Sequence, residues 1–401
     1  MTGVQEFRLT ATSTLCALGS DVRAVAASLF APSVDSLRRR ADLLPDRPML
    51  VGEVRAELPR LPERLARWSC RNNSLALAAL ERIRPEVDRV LATWGPARVG
   101  VVLGTTTAGV AEAGEAVRDL VRGGALTPSF HYAQMEHGNV AQMLAECSGA
   151  LGPAYSISTA CSSSAKALVS ARSLLELDLC DAVICGGVDT LCRMTARGFF
   201  ALEAVAMDRT NPMSRNRRGL NLGEAAVLFV MARERGGIQL AGGGESSDAH
   251  HMSAPSPDGS GAEAAMRAAL AQAGARADEI LYVNLHGTGT PLNDSSESAA
   301  VHRVFGADVP CSSTKPRVGH TLGAAGALEA AFCAMTLESE RDGELALPPH
   351  DWDRERDPEL APLRLAGPGE TARARGRRLA LSNGFGFGGN NCTLVLERCE
   401  P

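Results

Sequence analysis

The sequence predicts an α/β fold with largely parallel sheets, arranged as two similar halves. Three observations predict it. Short β-leaning apolar runs alternate with longer helical ones along the whole chain. The alternation starts afresh after about Glu234, which divides residues 1–234 from residues 235–401. A chain of 401 residues that is 45% hydrophobic and 22% charged can also fill a large core. No residue-level repeat accompanies the two rounds.

In the first round, Phe7 to Leu18 reads as a strand and Ser20 as the N-cap of a helix through Phe30. Ala31 to Pro62, rich in Pro and Arg, reads as a surface excursion. A helix from Ser74 restarts at Pro85, a residue that suits a first turn better than an interior. Arg98 to Leu103 is a buried-strand run, closed by Gly104-Thr-Thr-Thr-Ala-Gly109 and a further helix. Helical runs from Ala133 to Cys147 and from Cys161 to Leu177 flank an extended run from Pro153 to Thr159. Ala182 to Val188 and Ala225 to Met231 read as strands. In the second round, Ile238 to Gly242, Leu281 to Leu285, Leu379 to Leu381 and Cys392 to Leu396 read as strands. Ala262 to Ala273, Ser295 to Phe305 and Ala324 to Met335 read as helices.

Composition excludes several classes of function. A net charge of −5 argues against wholesale nucleic-acid binding. No uninterrupted apolar run of about 18 residues is present to span a bilayer, and the N-terminus lacks the plan of a signal peptide. Eleven cysteines, an odd number with no Cys-x-x-Cys pair, argue against a disulfide framework or a zinc ribbon. The expected location is cytoplasmic. Of 41 basic residues only Lys166 and Lys315 are lysines, leaving 41 − 2 = 39 arginines. A position that keeps Lys in such a chain is a candidate for needing a compact point charge.

The chemistry centres on Ser156-Ile-Ser-Thr-Ala-Cys161-Ser-Ser-Ser-Ala-Lys166, where an extended run meets a helix through small residues. A thiol in the first turn of a helix sits among unpaired N–H groups at the positive end of the dipole. Both favour thiolate, the nucleophilic form; alone, Cys161 could equally be one more buried, inert cysteine. Three later loops add partners. Asn284-Leu-His286-Gly-Thr-Gly-Thr-Pro-Leu-Asn-Asp294-Ser-Ser-Glu297 places His286 where a strand ends. Ser313-Thr-Lys315-Pro-Arg-Val-Gly-His320 leads into a small-residue helix. Ser382-Asn-Gly-Phe-Gly-Phe387-Gly-Gly-Asn390 satisfies G-x-G-x-x-G through Gly384, Gly386 and Gly389, but only twelve residues follow Gly389. A dinucleotide unit cannot fit there, so these glycines are read as letting backbone N–H groups approach a substrate carbonyl.

Together, Thr-Ala-Cys161-Ser-Ser, His286-Gly-Thr-Gly-Thr-Pro, Lys315 with His320 and the Gly-Phe-Gly-Phe-Gly-Gly loop resemble the elongating β-ketoacyl-ACP synthases of the thiolase superfamily. The resemblance implies a five-layer αβαβα thiolase fold of two duplicated halves, with Cys161 in the first and His286, Lys315, His320 and the Gly-Phe loop in the second. It implies that Cys161 takes an acyl chain from an acyl carrier protein as a thioester. The N–H groups of Cys161 and Phe387 would form an oxyanion hole, and Phe387 would gate the acyl tunnel. His286 and His320 would support decarboxylation of malonyl-carrier protein as neutral imidazoles. Lys315 would hold His320 and the local charge, with Asp294 and Glu297 as buried partners, and Thr288 and Thr290 would touch the pantetheine arm. Asn284, Glu329, Ser382 and Asn383 match positions that surround a structural cation in relatives. No cofactor is implied beyond the carrier's phosphopantetheine.

The stretch Asn211-Pro-Met-Ser-Arg-Asn-Arg-Arg-Gly-Leu-Asn-Leu-Gly-Glu-Ala-Ala226 departs from housekeeping synthases and looks like those of aryl-polyene pathways. A general fatty-acid role stays open beside it. Lys166 is expected to be a buried salt-bridge partner, and His250-His251 is not expected to bind metal, because adjacent side chains point apart. The resemblance implies a dimer through the strand before Cys161, either a homodimer or a pairing with a cysteine-lacking chain-length partner. Arg38 to Arg40 and Arg118 to Arg122 are candidates for meeting an acidic carrier protein. Two other functions remain: a scaffold subunit that shapes a partner's tunnel, and a cysteine acyltransferase that does not decarboxylate.

Overall fold

The computed structural model describes residues 6–45, 47–374 and 376–400. In the first half, β1 (Arg8–Leu15), β2 (Val99–Gly104), β3 (Ala154–Ile157), β4 (Ala182–Asp189) and β5 (Ala225–Ala232) form a sheet in the order β3-β2-β4-β5-β1. β2 runs parallel to β3 and β4, while β5 runs antiparallel to β4 and β1. In the second half, β6 (Gly237–Ser247), β7 (Ile280–Asn284), β8 (Pro310–Ser312), β9 (Arg378–Gly386) and β10 (Asn390–Cys399) follow the order β8-β7-β9-β10-β6. Here β7 is parallel to β8 and β9, and β10 is antiparallel to β9 and β6. The two sheets share one topology. They join at a corner where Arg8 of β1 pairs with Gln239 of β6.

The helices, in chain order, are α1 (Val22–Leu29), α2 (Arg71–Arg82), α3 (Arg84–Trp94), α4 (Val110–Gly123), α5 (Asn139–Ser148), α6 (Ser163–Glu176), α7 (Arg193–Ala201), α8 (Ser260–Gln272), α9 (Pro291–Phe305), α10 (Lys315–Val318) and α11 (Ala325–Glu338). α2, α3 and α5 cover the outer face of the first sheet, and α8 and α9 that of the second. α6 and α11 lie between the sheets and pack against both. The result is five layers, αβαβα. Both faces of each sheet are therefore covered, and the strands show it: in β5, Ala226, Leu228 and Val230 face the outer helices, while Val227, Phe229 and Met231 face the middle layer. Small residues let the middle helices touch. A Cβ added to Gly326 of α11 would come within 2.7 Å of the Ala165 backbone nitrogen on α6. That contact sets the N-termini of the two helices, and the loops entering them, side by side.

Several local expectations change. The cap of α1 is Asp21, whose carboxylate accepts the Ala24 N–H, and not Ser20. The span from Ala31 to Pro62 is not merely surface. Its segments Arg38–Arg40 and Met49–Gly52 build a three-stranded sheet with Leu222–Gly223, burying Met49 and Val51. β9 continues past Leu381 to Gly386, so Ser382 and Asn383 lie within a strand. The Gly-Phe loop is a turn between the antiparallel strands β9 and β10 with no helix after it, and no dinucleotide unit forms there. No described helix is long and apolar enough to cross a membrane.

Candidate active site

The C-terminal ends of the parallel strands of both sheets converge between the halves, where α/β sheets commonly place their sites. Cys161 stands on the turn between β3 and α6. Ala160 before it adopts φ 53°, a left-handed conformation that makes the turn sharp. The helix begins at Ser163 rather than at Cys161, so the thiol lies just ahead of the first turn. His286 lies two residues beyond β7, and both oxygens of the Glu297 carboxylate hold this corner, accepting the N–H groups of His286 and Gly287 at 2.7 Å each. Lys315 opens the one-turn helix α10 after β8, and Gly319, at φ +72°, turns the chain into His320. Arg317, fully buried, fixes α10 from behind: it donates to the carbonyls of Ser28, Leu29 and Ala31 at the end of α1 and pairs with Asp351.

These elements bring His320 Nε2 to 2.9 Å from Cys161 Sγ. The two imidazoles meet edge to face at 5.3 Å, and Phe385 stands 5.9 Å from His286. Cys161 Sγ and one nitrogen of each histidine all lie within 4.8 Å of one another. Such a cluster can converge on one soft cation or on a single thioester carbon. The Phe387 N–H faces the thiol. Gly386 leaves space for this: a Cβ there would approach the Cys161 nitrogen to 3.2 Å and the Thr159 carbonyl oxygen to 2.9 Å. The Phe387 ring is 36% exposed and lies 5.5 Å from Phe199 on α7.

Burial dominates the electrostatics. It pushes the Cys161 thiol up to about 11, against the opposing pull of Lys315 and the Phe387 N–H. The thiolate expected from the helix position is therefore not the resting form at neutral pH, and the thiol needs a base. Burial holds His286 and His320 well below the ordinary imidazole range, with the Lys315 charge adding to the effect. Both rings are neutral at pH 7. The Lys315 ammonium donates to Glu329 at 2.5 Å, with both side chains almost fully buried. Burial raises the Glu329 and Glu297 carboxyls to about 7 each.

Cys161, His286, His320, Lys315 and Phe387 thus meet at one site. The partner expected for Lys315 is different: it is Glu329, not Asp294 or Glu297. Asp294 instead accepts the N–H groups of Met213 and Gly289, holding the loop that bears Thr288 and Thr290. Those two hydroxyls bond each other at 2.8 Å. Of the four residues matched to a structural cation, Asn284 Oδ1 and Glu329 Oε2 are buried without a partner. The Asn383 side chain is already engaged with Glu297 and Thr393. Buried oxygens without a partner are the kind a hard cation takes. Lys166 pairs with Glu245 at 3.5 Å across the two halves; the salt bridge is as expected, but Lys166 is only partly buried and Glu245 is exposed. His250 and His251 are exposed. Arg39, Arg40 and Arg118 already pair with Asp208, with Asp42 and Glu53, and with Glu115.

Sequence reasoning missed Phe199 and Asp189. Asp189 ends β4 with its carboxylate fully buried among N–H and O–H donors from both halves. A lone acid closing an otherwise apolar run was the available signal.

Comparison with known proteins agrees with this geometry. Residues 76–236 match the family profile for the β-ketoacyl synthase N-terminal domain, and residues 239–341 that for its C-terminal domain. Nodulation protein E of Rhizobium meliloti is 32% identical over 406 residues, spanning 96% of this chain and 97% of the relative. The 3-oxoacyl-[acyl-carrier-protein] synthase 2 of Rhizobium meliloti (strain 1021) is 39% identical over 269 residues, or 62% of this chain and 61% of that one. Among solved structures, the ketosynthase ApeO in complex with its chain length factor ApeC from Xenorhabdus doucetiae superposes with a TM-score of 0.90. It is 41% identical and covers 100% of this chain and 99% of that chain. The chain belongs to the β-ketoacyl synthase family, whose members are condensing acyltransferases on the thiolase fold.

Proposed function

We propose that this chain is a β-ketoacyl-[acyl-carrier-protein] synthase that joins an acyl thioester to malonyl-carrier protein with loss of carbon dioxide. One observation carries the reading: a buried thiol in contact with one neutral imidazole, with a second imidazole facing the same space. His320 Nε2 takes the thiol proton as Cys161 Sγ attacks the acyl carbonyl. The developing oxyanion is held by the N–H groups of Cys161 and Phe387. Collapse breaks the bond to the pantetheine sulfur, which leaves with the proton from His320. The malonyl thioester then enters the same space. As its carboxylate departs as carbon dioxide, the N–H of His286 holds the enolate oxygen, joined by His320 once its ring proton has passed from Nδ1 to Nε2, a task that requires neutral rings. The enolate carbon attacks the Cys161 thioester, forming the new C–C bond and expelling the Cys161 thiolate, which takes up one proton from solvent water.

In this reading Thr288 and Thr290 line the pantetheine arm's approach, Phe387 with Phe199 gates it, and Lys315 with Glu329 sets the local charge. A cation held by Asn284 Oδ1 and Glu329 Oε2 would serve structure only. The reaction draws on no cofactor beyond the carrier's phosphopantetheine. Arg38, Arg39 and Arg122 are the exposed members of the two arginine groups; Arg38 and Arg39 pair with Asp35 and Asp208, so Arg122, with no ion pair among the described residues, is the better candidate for meeting the carrier. The likeness to ApeO with its chain length factor favours an aryl-polyene branch over general fatty-acid elongation, and a heterodimer over a homodimer. Retention of Cys161, His286 and His320 makes this chain the active member. We divide the halves at residues 234 and 235, supported by the repeated strand order and by the ends of the two family profiles. Eleven unpaired cysteines suit a reducing, cytoplasmic setting.

Release of carbon dioxide from carboxyl-labelled malonyl-carrier protein, in the presence of acyl-carrier protein, tests the reading. Stoichiometric release with a β-ketoacyl product supports it. Discharge of the acyl group to another acceptor without carbon dioxide would point to plain acyl transfer.

A further inference from the structure

The carboxylate of Asp189 is the strongest feature that the mechanism leaves unused. It ends β4, is fully buried, and accepts six hydrogen bonds. Five come from the loop after β2: the Thr105 hydroxyl at 2.9 Å, the Thr106 N–H at 2.8 Å and hydroxyl at 2.5 Å, and the Thr107 N–H and hydroxyl at 2.8 Å each. The sixth comes from the other half, where the Gly323 N–H donates at 2.6 Å. Gly323 is three residues beyond His320.

Both sides of this clamp lead to the reacting pair. On the first half, Thr105 N–H bonds the Ile157 carbonyl at the end of β3, the strand that feeds Cys161. A Cβ on Gly104 would overlap the Ser164 backbone nitrogen at 2.3 Å, so this loop and the start of α6 are in direct contact. On the second half, the His320 backbone is itself tied to the first, its N–H donating to the Asn221 carbonyl and its carbonyl accepting the Gly223 N–H, and the bond from Gly323 to Asp189 adds a further tie three residues on. The turn that follows is strained, because Leu322 adopts φ 53° with a branched side chain. The bond from Asp189 to Gly323 holds that turn closed. A neutral amide could not replace the carboxylate, since its NH₂ would face donors and leave them unsatisfied.

We propose that Asp189 is a positioning residue that locks the turn after His320 to the half carrying Cys161, and so sets the 2.9 Å contact between imidazole and thiol. The inference rests on the reading of Cys161 and His320 as a reacting pair, but its test does not require the full condensation.

The test measures alkylation of Cys161 by iodoacetamide at neutral pH, followed by mass spectrometry on wild type, Asp189→Asn and Gly323→Ala, with melting temperatures recorded alongside. Gly323→Ala keeps the charge and forces the clamp open, because its Cβ would lie 2.7 Å from Asp189 Oδ2 and 2.8 Å from Thr106 Cγ2. Either variant that folds should alkylate about 10- to 100-fold more slowly, the size expected when reacting groups are misplaced by about an ångström. Single-turnover acylation by acyl-carrier protein should fall in rate by a similar factor, with the half-saturating carrier concentration unchanged. Variants that melt lower yet alkylate at the wild-type rate would overturn the proposal and leave Asp189 a purely structural clamp. Normal wild-type alkylation without any acylation would separate a failure of the condensing-enzyme reading from a failure of this one.

Discussion

The Lys315 ammonium lies 2.5 Å from a Glu329 carboxylate oxygen, both side chains almost fully buried, and its charge acts on the two active-site imidazoles. Removing one partner leaves the other uncompensated in a dry interior. Glu329→Gln should therefore lower stability by about 3–5 kcal/mol, measured as a shift in the denaturation midpoint. A loss below about 1 kcal/mol would mean that the pair is wetter than its burial indicates.

Burial, with the same charge adding to it, sets the pH dependence. Both histidines lie well below 6.5 in the folded protein, so neither gains a proton until the pH falls under that value. The histidines should then contribute no change in condensation rate from about pH 6.5 to 8, and any change across neutral pH belongs to Glu297 and Glu329, whose carboxyls burial raises to about 7. Lys315→Met removes a cation that disfavours imidazolium, so the acid limb should move upward toward neutral. The sign for stability follows from the same shift. A histidine whose folded pKa is depressed binds its proton more readily when unfolded, so its contribution is lost as pH falls below 6.5. Rate–pH profiles of wild type and Lys315→Met check the direction, and an acid limb that moves down contradicts it.

Glu297 separates the two half-reactions. It holds the backbone of His286, the imidazole we propose to face the second substrate, and does not touch the thiol. Glu297→Gln and His286→Ala should keep Cys161 acylation within about threefold of wild type while condensation falls by about 10²-fold or more. His320→Ala should slow the acylation itself. Equal losses in both steps for Glu297→Gln would assign His286 to acyl loading as well.

The Gly-Phe loop offers a contrast between backbone and side chain. In Gly386→Ala the new Cβ would press on the Cys161 nitrogen and the Thr159 carbonyl, displacing an oxyanion donor. Acylation should drop by about 10²- to 10³-fold, the loss typical of one such donor. Phe387→Ala keeps its N–H and should spare acylation, while exposing the thioester to hydrolysis by water. Acyl-enzyme lifetimes in the two variants distinguish these outcomes.

Much of this fold was legible because its strands are buried on both faces, so apolar runs such as Ala225 to Met231 stand out between helical stretches. Arg38–Arg40 was not, since three arginines carry no strand pattern and pair only because Met49–Gly52 lies alongside. Within the site, Cys161, His286 and Lys315 could be picked out because each follows a strand amid small residues, and His320 because it closes the same short loop as Lys315. Their partners could not. Glu329 and Lys315 meet across two helices, and no spacing distinguishes that pairing from one with Glu297. For the thiol, the helix terminus pulls toward thiolate, whereas burial, invisible in sequence, pushes the other way, up to about 11. Asp189 escaped notice because its six donors come from segments far apart in the chain.

The most direct test of the central claim is intact-mass spectrometry of the protein mixed with an acyl-carrier protein, followed by malonyl-carrier protein. Wild type should gain one acyl group, Cys161→Ala none, and addition of the malonyl carrier should convert that acyl group into a carrier-bound β-ketoacyl chain two carbons longer. Acyl mass that persists in Cys161→Ala, or that never appears in wild type alone or with its partner chain, would contradict it.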